Sequence, residues 1–555
     1  MNNAAARTLH HPFCLGQPRF KDGDLAALAE REGALAAWRQ AFEKYGASAP
    51  ARVSGDFAVA MTLADGRSFL AIDRFAIQTL CYRIEGNQLR CAARADELGA
   101  SEIDPQAIFD YLYFHVIPSP RTIFKDVFRL PPGHYALFEN GQLTVAPYWT
   151  PKFEEGRGES FASLRDEFLQ IVRDSISSRI GSAPIGCYLS GGTDSSTVAG
   201  MLTQITGNPA ETYSIGFDVP GYDEMEYARI AVRHFGTHHH EYYITPDDLV
   251  SGMPAVAASY DQPFGNSSAV PAYYCARMAK QDGIDKLLAG DGGDELFGGN
   301  SRYAKQRIFG AYDNLPGILR KGLAEPLTDT GLFDRIPLLK KGASYVRQAR
   351  VPMPDRLQTY NLLLRMGLDQ VFPADFLARI DPGEPARHQR ETYNACPPTS
   401  LVNQMLFYDW RYTLAENDLP KVIGSARLAN VAVGFPLLDD RLLDFSLKLP
   451  TAYKLKGIKL RWFFKEALRG FLPDAIITKK KHGFGLPFGP WAASHASLNK
   501  LATESLHGLA DRGIVRREFI DTLLKDHLPT HPGFYGELVW IMTMLEQWLR
   551  AHAPK

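Results

Sequence analysis

The run Leu189-Ser190-Gly191-Gly192-Thr193-Asp194-Ser195-Ser196 carries the residue types that hold an anion. Gly191 and Gly192 let the backbone come close to a phosphate. Backbone N–H groups converge where a helix begins, and the helix dipole favours negative charge there. Ser190, Ser195 and Ser196 add hydroxyl donors, and Asp194 can hold Mg2+ against phosphate oxygens. No lysine follows the glycines, which excludes a Walker loop. A second run, Gly290-Asp291-Gly292-Gly293-Asp294-Glu295, sets carboxylates in a glycine-rich turn. Mg2+ prefers a few carboxylates plus substrate phosphates, so this turn suits a metal–phosphate site.

These residues need a frame. Residues 184–189 read as a short buried strand, and residues 197–202 as the start of a helix. Further strands are expected at 211–217, 238–244 and 285–289, with a helix at 225–235 between two of them. Alternating strands and helices predict a doubly wound parallel sheet. Ligands of such sheets sit at the carboxyl ends of the strands. Ser190, Ser214 and Gly290 fall at three such ends, with Leu189, Ile215 and Gly216 beside them. The triplet His238-His239-His240 lies in a strand whose side chains alternate between faces, so three consecutive metal ligands would converge poorly. Upstream, residues 57–62 and 68–72 flank Asp65-Gly66, and residues 80–84 and 88–92 flank Glu85-Gly86-Asn87. These read as hairpins of an antiparallel sheet, followed by a helix over 105–115. Residues 152–159 read as a linker, and from about 304 the pattern is helical and polar.

The totals bound the class. A chain of 555 residues, 45% hydrophobic and 22% charged, is globular and holds more than one domain. A net charge of -1 gives no electrostatic case for nucleic acid or an anionic membrane. Six scattered cysteines (Cys14, Cys81, Cys91, Cys187, Cys275, Cys396) form no CxxC pair and fit reduced thiols. There is no signal-peptide core and no apolar run of about 18 residues, so a cytoplasmic protein is expected.

The serine–glycine run resembles the pyrophosphate loop of ATP pyrophosphatases, which split ATP into AMP and pyrophosphate. Gly55-Asp56-Phe57-Ala58-Val59-Ala60 with Ala71-Ile72-Asp73-Arg74-Phe75 resembles the core of the glutaminase domain of asparagine synthetases. Pro120-Arg121-Thr122-Ile123-Phe124 and Leu130-Pro131-Pro132-Gly133-His134 are similar to that family's passage between domains. The resemblance implies an α/β protein of two parts. Residues 1–150 would be a degenerate glutaminase-like α+β domain of the N-terminal-nucleophile type. Residues 151–555 would be an ATP-pyrophosphatase synthetase domain, like the adenine nucleotide alpha hydrolases, with a helical C-terminal part. By the same resemblance ATP and Mg2+ are the cofactors, Asp194 and Asp294 the metal ligands, and Asp291 stands near the reacting acyl group. Lys421, in Leu419-Pro420-Lys421-Val422, would hold pyrophosphate, and Lys481, beside Gly483-Phe484, would reach the active site.

Two departures matter. The family's glutaminase nucleophile is a cysteine exposed after removal of the first methionine, whereas Asn2 follows Met1 here and Cys14 is internal. The family's Asp-Arg pair after the lysine is Ile423-Gly424, and its later Glu and Arg are Ala432 and Gly434. The loss of four charges predicts a roomier pocket, less suited to aspartate. The expected reaction is amide formation through an acyl-adenylate, with an amine carried by the substrate. Among relatives lacking the cysteine, which include the β-lactam synthetases, Asp291 and the thinned charge near Ala432 favour the lasso peptide macrolactam synthetases. These join a side-chain Asp or Glu of a precursor peptide to its N-terminal amine, with a leader-removing protease as partner. An amide ligase or β-lactam-forming enzyme on a small molecule, an asparagine synthetase using free ammonia, and an inactive nucleotide- or peptide-binding protein remain as alternatives.

Overall fold

The computed structural model describes residues 12–156, 158–313, 344–480 and 485–553. Its first part is an antiparallel sheet built from β1 (Phe13–Gly16), β2 (Phe57–Thr62), β3 (Ser68–Ile72), β4 (His134–Glu139) and β5 (Gln142–Pro147), in that spatial order. The Asp65-Gly66 turn sets the β2–β3 register, with Ala58 opposite Ile72 and Ala60 opposite Leu70. Alternation then sorts the side chains. Phe57, Val59, Met61, Phe69 and Ala71 pack with Trp38 and Phe42. Ala58, Ala60, Leu70 and Ile72 pack with Leu80, Tyr82, Leu89 and Cys91. Trp38 and Phe42 belong to the helix Ala34–Tyr45, whose neighbour is Gly23–Glu32. The strand-centred sequence reading passes over both helices. The second hairpin forms its own small sheet, Cys81–Glu85 with Gln88–Ala92 and Phe128–Arg129.

The second part is a parallel sheet of β6 (Ile185–Tyr188), β7 (Glu211–Phe217), β8 (His238–Ile244), β9 (Lys286–Leu288) and β10 (Ala432–Gly434). The spatial order is β8-β7-β6-β9-β10. The chain therefore winds outward from β6 in one direction and returns to add β9 and β10 on the other side. The crevice between β6 and β9 is the switch point where such sheets bind ligands. β10 pairs with β9 in parallel, a fifth strand in a stretch with little strand signal in its sequence. The helix after β6 spans Thr193–Thr206, four residues earlier than the sequence reading begins it. Along β8, His238 and His240 both bond Glu211, while His239 meets Thr212 on the opposite face.

The last helix, Pro532–His552, threads between the two parts. Trp540 Nε1 donates to Gly265 O at 2.9 Å and Trp548 Nε1 to Tyr260 O at 3.0 Å. From the first part, Tyr111 donates to Ile541 O at 2.9 Å. Trp540 and Trp548 are buried. Each such aromatic contributes about 2–3 kcal/mol of apolar burial, and the indole N–H groups fix the helix in rotation and height. Polar contacts close the rest of the junction. Glu416 is buried and accepts from Ser119 N at 3.1 Å, Ser119 Oγ at 2.6 Å and Arg129 Nη2 at 2.8 Å. Asp440 accepts from Gly55 N at 2.7 Å and pairs with Arg74. Among the described residues, no helix is long and apolar enough to cross a membrane.

Candidate functional site

β6 ends at Tyr188, and the chain turns through Ser190 and Gly191 into the helix Thr193–Thr206. Gly191 has φ +67°, and a Cβ there would stand 2.4 Å from Ala228 N, so the turn admits only glycine. Ser195 Oγ accepts from Ser190 N at 3.1 Å and lies 3.0 Å from Ser190 Oγ. Ser214, from β7, donates to Leu189 O and ties the two strand ends together. The result is a helix N-terminus facing a cavity of about 760 Å³, suited to bind a phosphate chain.

β9 delivers the second turn to the same place. A Cβ on Gly290 would lie 2.7 Å from Ser195 N, so the bare glycine allows the two turns to touch. That contact brings Asp194 and Asp294 together on one guanidinium. Arg461 Nη1 donates to Asp194 Oδ2 at 2.5 Å, to Asp294 Oδ1 at 2.7 Å and to Thr193 Oγ1 at 3.1 Å. Arg461 Nη2 bonds Asp194 Oδ1, and the guanidinium lies over the Phe464 ring at 4.0 Å. Burial opposes the charge on Arg461, but the two carboxylates hold it firmly protonated. Two hard oxygen donors meeting on one cation form a seat that fits Mg2+ when the guanidinium moves off it. Among the described residues, no group of three metal-binding side chains gathers. A Mg2+ held by Asp194 and Asp294 would therefore draw its other ligands from phosphate and water.

A second charged group lines the same cavity. Lys421 Nζ lies 3.4 Å from Asp291 Oδ1 and 3.4 Å from Asp418 Oδ1. Burial disfavours the ammonium, yet Asp418 and Asp291 keep it above the usual lysine range. Burial raises the Asp291 carboxyl, an effect that Lys421 partly offsets. Glu295, also lining the cavity, is pushed well above the usual carboxylate range by burial and by Asp294. Asp418 ends the π-helical turn Trp410–Asp418, where Glu416 is held by Ser119 and Arg129. The preceding residue, Asn417, accepts from Asn266 Nδ2 at 2.8 Å.

Leu189, Ser190, Asp194, Ser195, Ser214, Ile215, Gly290, Asp291, Asp294 and Lys421 all line this one cavity. Gly191, Gly192, Ser196 and Gly216 are not among its lining residues. Gly191 and Gly192 shape the turn behind it. The early helix start carries Ser196 into the interior, where its hydroxyl is buried with no hydrogen-bond partner among the described residues. Lys481, with Gly483 and Phe484, lies outside the described residues. Arg461, Asp418 and Glu295 are site residues without an assigned role in the sequence reading. Glu295 sits in the quoted turn, whereas Arg461 and Asp418 stand in no recognised motif.

The roomier pocket expected from the lost charges is not found where those charges were lost. Ile423, Gly424, Ala432 and Gly434 do not line the cavity. A Cβ on Gly424 would meet the Tyr260 ring at 2.4 Å, so an aromatic side chain already fills that space. Tyr260 OH donates to Pro420 O and Lys421 O, both at 3.2 Å. Gly434 faces Leu288, Arg179 and Lys286. In the first part, Cys14 lies in β1 opposite Val59, and burial raises its thiol to about 11. Met1 and Asn2 lie outside the described residues.

Residues 167–550 match the family model described as asparagine synthase, and residues 37–149 match that of a glutamine amidotransferase domain. The chain is 24% identical over 473 residues to asparagine synthetase [glutamine-hydrolyzing] 1 of Bacillus subtilis, covering 82% of this chain and 71% of that one. It is 24% identical over 471 residues to a putative asparagine synthetase [glutamine-hydrolyzing] of Mycobacterium bovis, covering 81% and 70%. Among solved structures, it is similar to NMN synthetase from Francisella tularensis at 14% identity. The TM-score is 0.21, with 46% of this chain and 93% of that one covered. With the synthase match spanning well over half its length and its motifs meeting in one cavity, this chain belongs to the asparagine synthase family of ATP-dependent carbon–nitrogen ligases.

Proposed function

We propose that the protein forms an amide bond within a peptide by way of an acyl-adenylate, closing a macrolactam between a side-chain Asp or Glu and the N-terminal amine of a lasso precursor. The observation that supports this reading is the presence of two charged centres at one cavity, Asp194–Arg461–Asp294 and Asp291–Lys421–Asp418. The first adjoins the helix start suited to phosphates, and in this reading the second serves the acyl group and the amine.

A carboxylate is a poor acyl donor near neutral pH. Its attack on the α-phosphorus of ATP makes an acyl-adenylate and releases pyrophosphate. Backbone N–H groups of the Ser190–Asp194 turn and the helix dipole orient the phosphates. Arg461, bonded to Asp194 and Asp294, holds these two carboxylates in place beside that turn. Mg2+ held by Asp194 and Asp294 would neutralise phosphate charge. Lys421 offsets negative charge on the adenylate, and Asp291 accepts the proton that the attacking amine must lose. A carboxylate with a raised pKa is the better base for that task. AMP then leaves.

The amine is assigned to the peptide because burial holds the thiols described in the first part, Cys14, Cys81 and Cys91, protonated, which suits none of them to cleaving glutamine. A leader-removing protease is the expected partner, supplying the free amine. A second reading, amidation of a small carboxylic acid, is favoured by the names of the relatives.

Isotope exchange between pyrophosphate and ATP tests the first step. Exchange stimulated by a peptide with a free amine and an internal Glu supports this reading. Exchange stimulated by aspartate and not by the peptide favours the second, and no exchange with either indicates a nucleotide-binding protein without turnover.

A further inference from the structure

A second cavity, of about 500 Å³, adjoins the first. Both are lined by His115, Asn417, Gly533 and Glu537. The first is by itself in the range of about 300–1,000 Å³ that holds a nucleotide-sized ligand. The second is therefore room beyond what ATP and a small carboxylic acid require.

Its chemistry differs from that of the first. Tyr113, Phe114, Tyr408 and Tyr412 form an aromatic wall, and Leu363 and Ile541 add aliphatic surface. At its rim, Tyr360 is 52% exposed and Phe534 45% exposed. Exposed aromatic surface beside a hollow that Arg302, Asn361 and Thr413 also line favours a ligand that covers it. The passage between the two cavities is polar. His115 Nδ1 stands 3.4 Å from Glu537 Oε1, and the Asn417 side chain is fixed by Asn266. Such groups can bond the amides of a chain that crosses between an ionic site and one with an aromatic wall.

We propose that the second cavity seats an aromatic or branched aliphatic side chain of the same peptide whose carboxyl is activated in the first, with the peptide backbone crossing at His115 and Glu537. This rests on the reading that the acyl substrate is a peptide. It adds a specificity site some residues away from the activated carboxyl. Selection there depends on apolar contact, whereas the first cavity selects for a carboxylate and phosphates. A small acyl substrate would leave the second cavity unused.

Two synthetic peptides test this directly. Each has a free N-terminal amine and one glutamate, and they differ only in carrying tryptophan or alanine a few residues beyond it. Both are titrated calorimetrically into the full-length protein, with and without ATP and Mg2+, and then into Tyr360→Ala and Phe534→Ala. Both of these side chains are about half exposed, so the variants should keep the thermal midpoint of the parent. The tryptophan peptide is expected to bind roughly ten-fold more tightly, and each variant should cut that preference to about three-fold or less. Equal affinity for the two peptides, or binding of neither, overturns the proposal. AMP release with both peptides at equal KM would keep the acyl-adenylate reading and remove the second cavity from it. A tryptophan preference erased by the variants, with no AMP formed, would do the reverse.

Discussion

Lys421 Nζ stands 3.4 Å from Asp291 Oδ1, joining a helix that follows the π-helical turn to the turn after β9. The pair is buried enough that each charge depends on the other. Lys421→Met should raise the Asp291 carboxyl further, because the ammonium is the main group offsetting its burial. Adenylate formation should fall about 100-fold or more. Stability should fall by about 1–3 kcal/mol, between the cost at an exposed pair and at a fully buried one, since both side chains are part-exposed to the cavity. Pyrophosphate release and urea unfolding measure the two effects separately.

Arg461 occupies the meeting point of Asp194 and Asp294. Arg461→Ala removes the competitor for that seat. Calorimetry without nucleotide should then detect tighter Mg2+ binding than in the parent, while ATP turnover drops by roughly 100-fold. Arg461→Lys keeps the charge but loses the fork that spans both carboxylates, and should lie between the two.

Gly290→Ala places a methyl 2.7 Å from Ser195 N and 2.9 Å from the Asp194 carbonyl carbon. Backbone cannot yield as a flexible side chain does, so the turns must part. A loss of about 1–3 kcal/mol in stability is expected. The loss of nucleotide binding should be larger than that figure alone implies, since both phosphate-facing turns shift. Equilibrium nucleotide binding and thermal unfolding check this.

His134 and Arg411 share the Pro132 carbonyl at the junction, at 2.9 and 3.2 Å. Burial, then Arg411, lowers the His134 pKa to about 4, against about 6.5 in an unfolded chain. The unfolded state thus binds more protons in this window. The contribution of His134 to stability is present above about 6.5 and is lost as pH falls towards 4. Urea midpoints of the parent should therefore drop more between pH 7.5 and pH 5 than those of His134→Gln. Equal drops would contradict this assignment.

Much of the site was legible because its residues travel in short glycine-marked runs. Asp194 and Asp294 lie in turns whose glycines are demanded by backbone geometry, and strand periodicity put both turns at one sheet edge. Arg461 was not legible. It lies 167 residues beyond Asp294 and enters the site from a left-handed backbone conformation ahead of a short helix. The strand Ala432–Gly434 is too short to show alternation, and only its pairing with β9 reveals it. The pocket expectation failed for a related reason. A sequence records that charges are gone at Ile423 and Gly424, but not that Tyr260 fills the space beside Gly424.

In the proposed function, ATP is spent to join a carboxyl and an amine carried by one peptide. Incubation with ATP, Mg2+ and a precursor peptide bearing a free amine, followed by mass spectrometry and nucleotide chromatography, tests it most directly. One AMP is expected for each peptide that becomes lighter by one water, with no requirement for glutamine. Glutamine-dependent conversion of aspartate to asparagine, with the peptide unchanged, would contradict it.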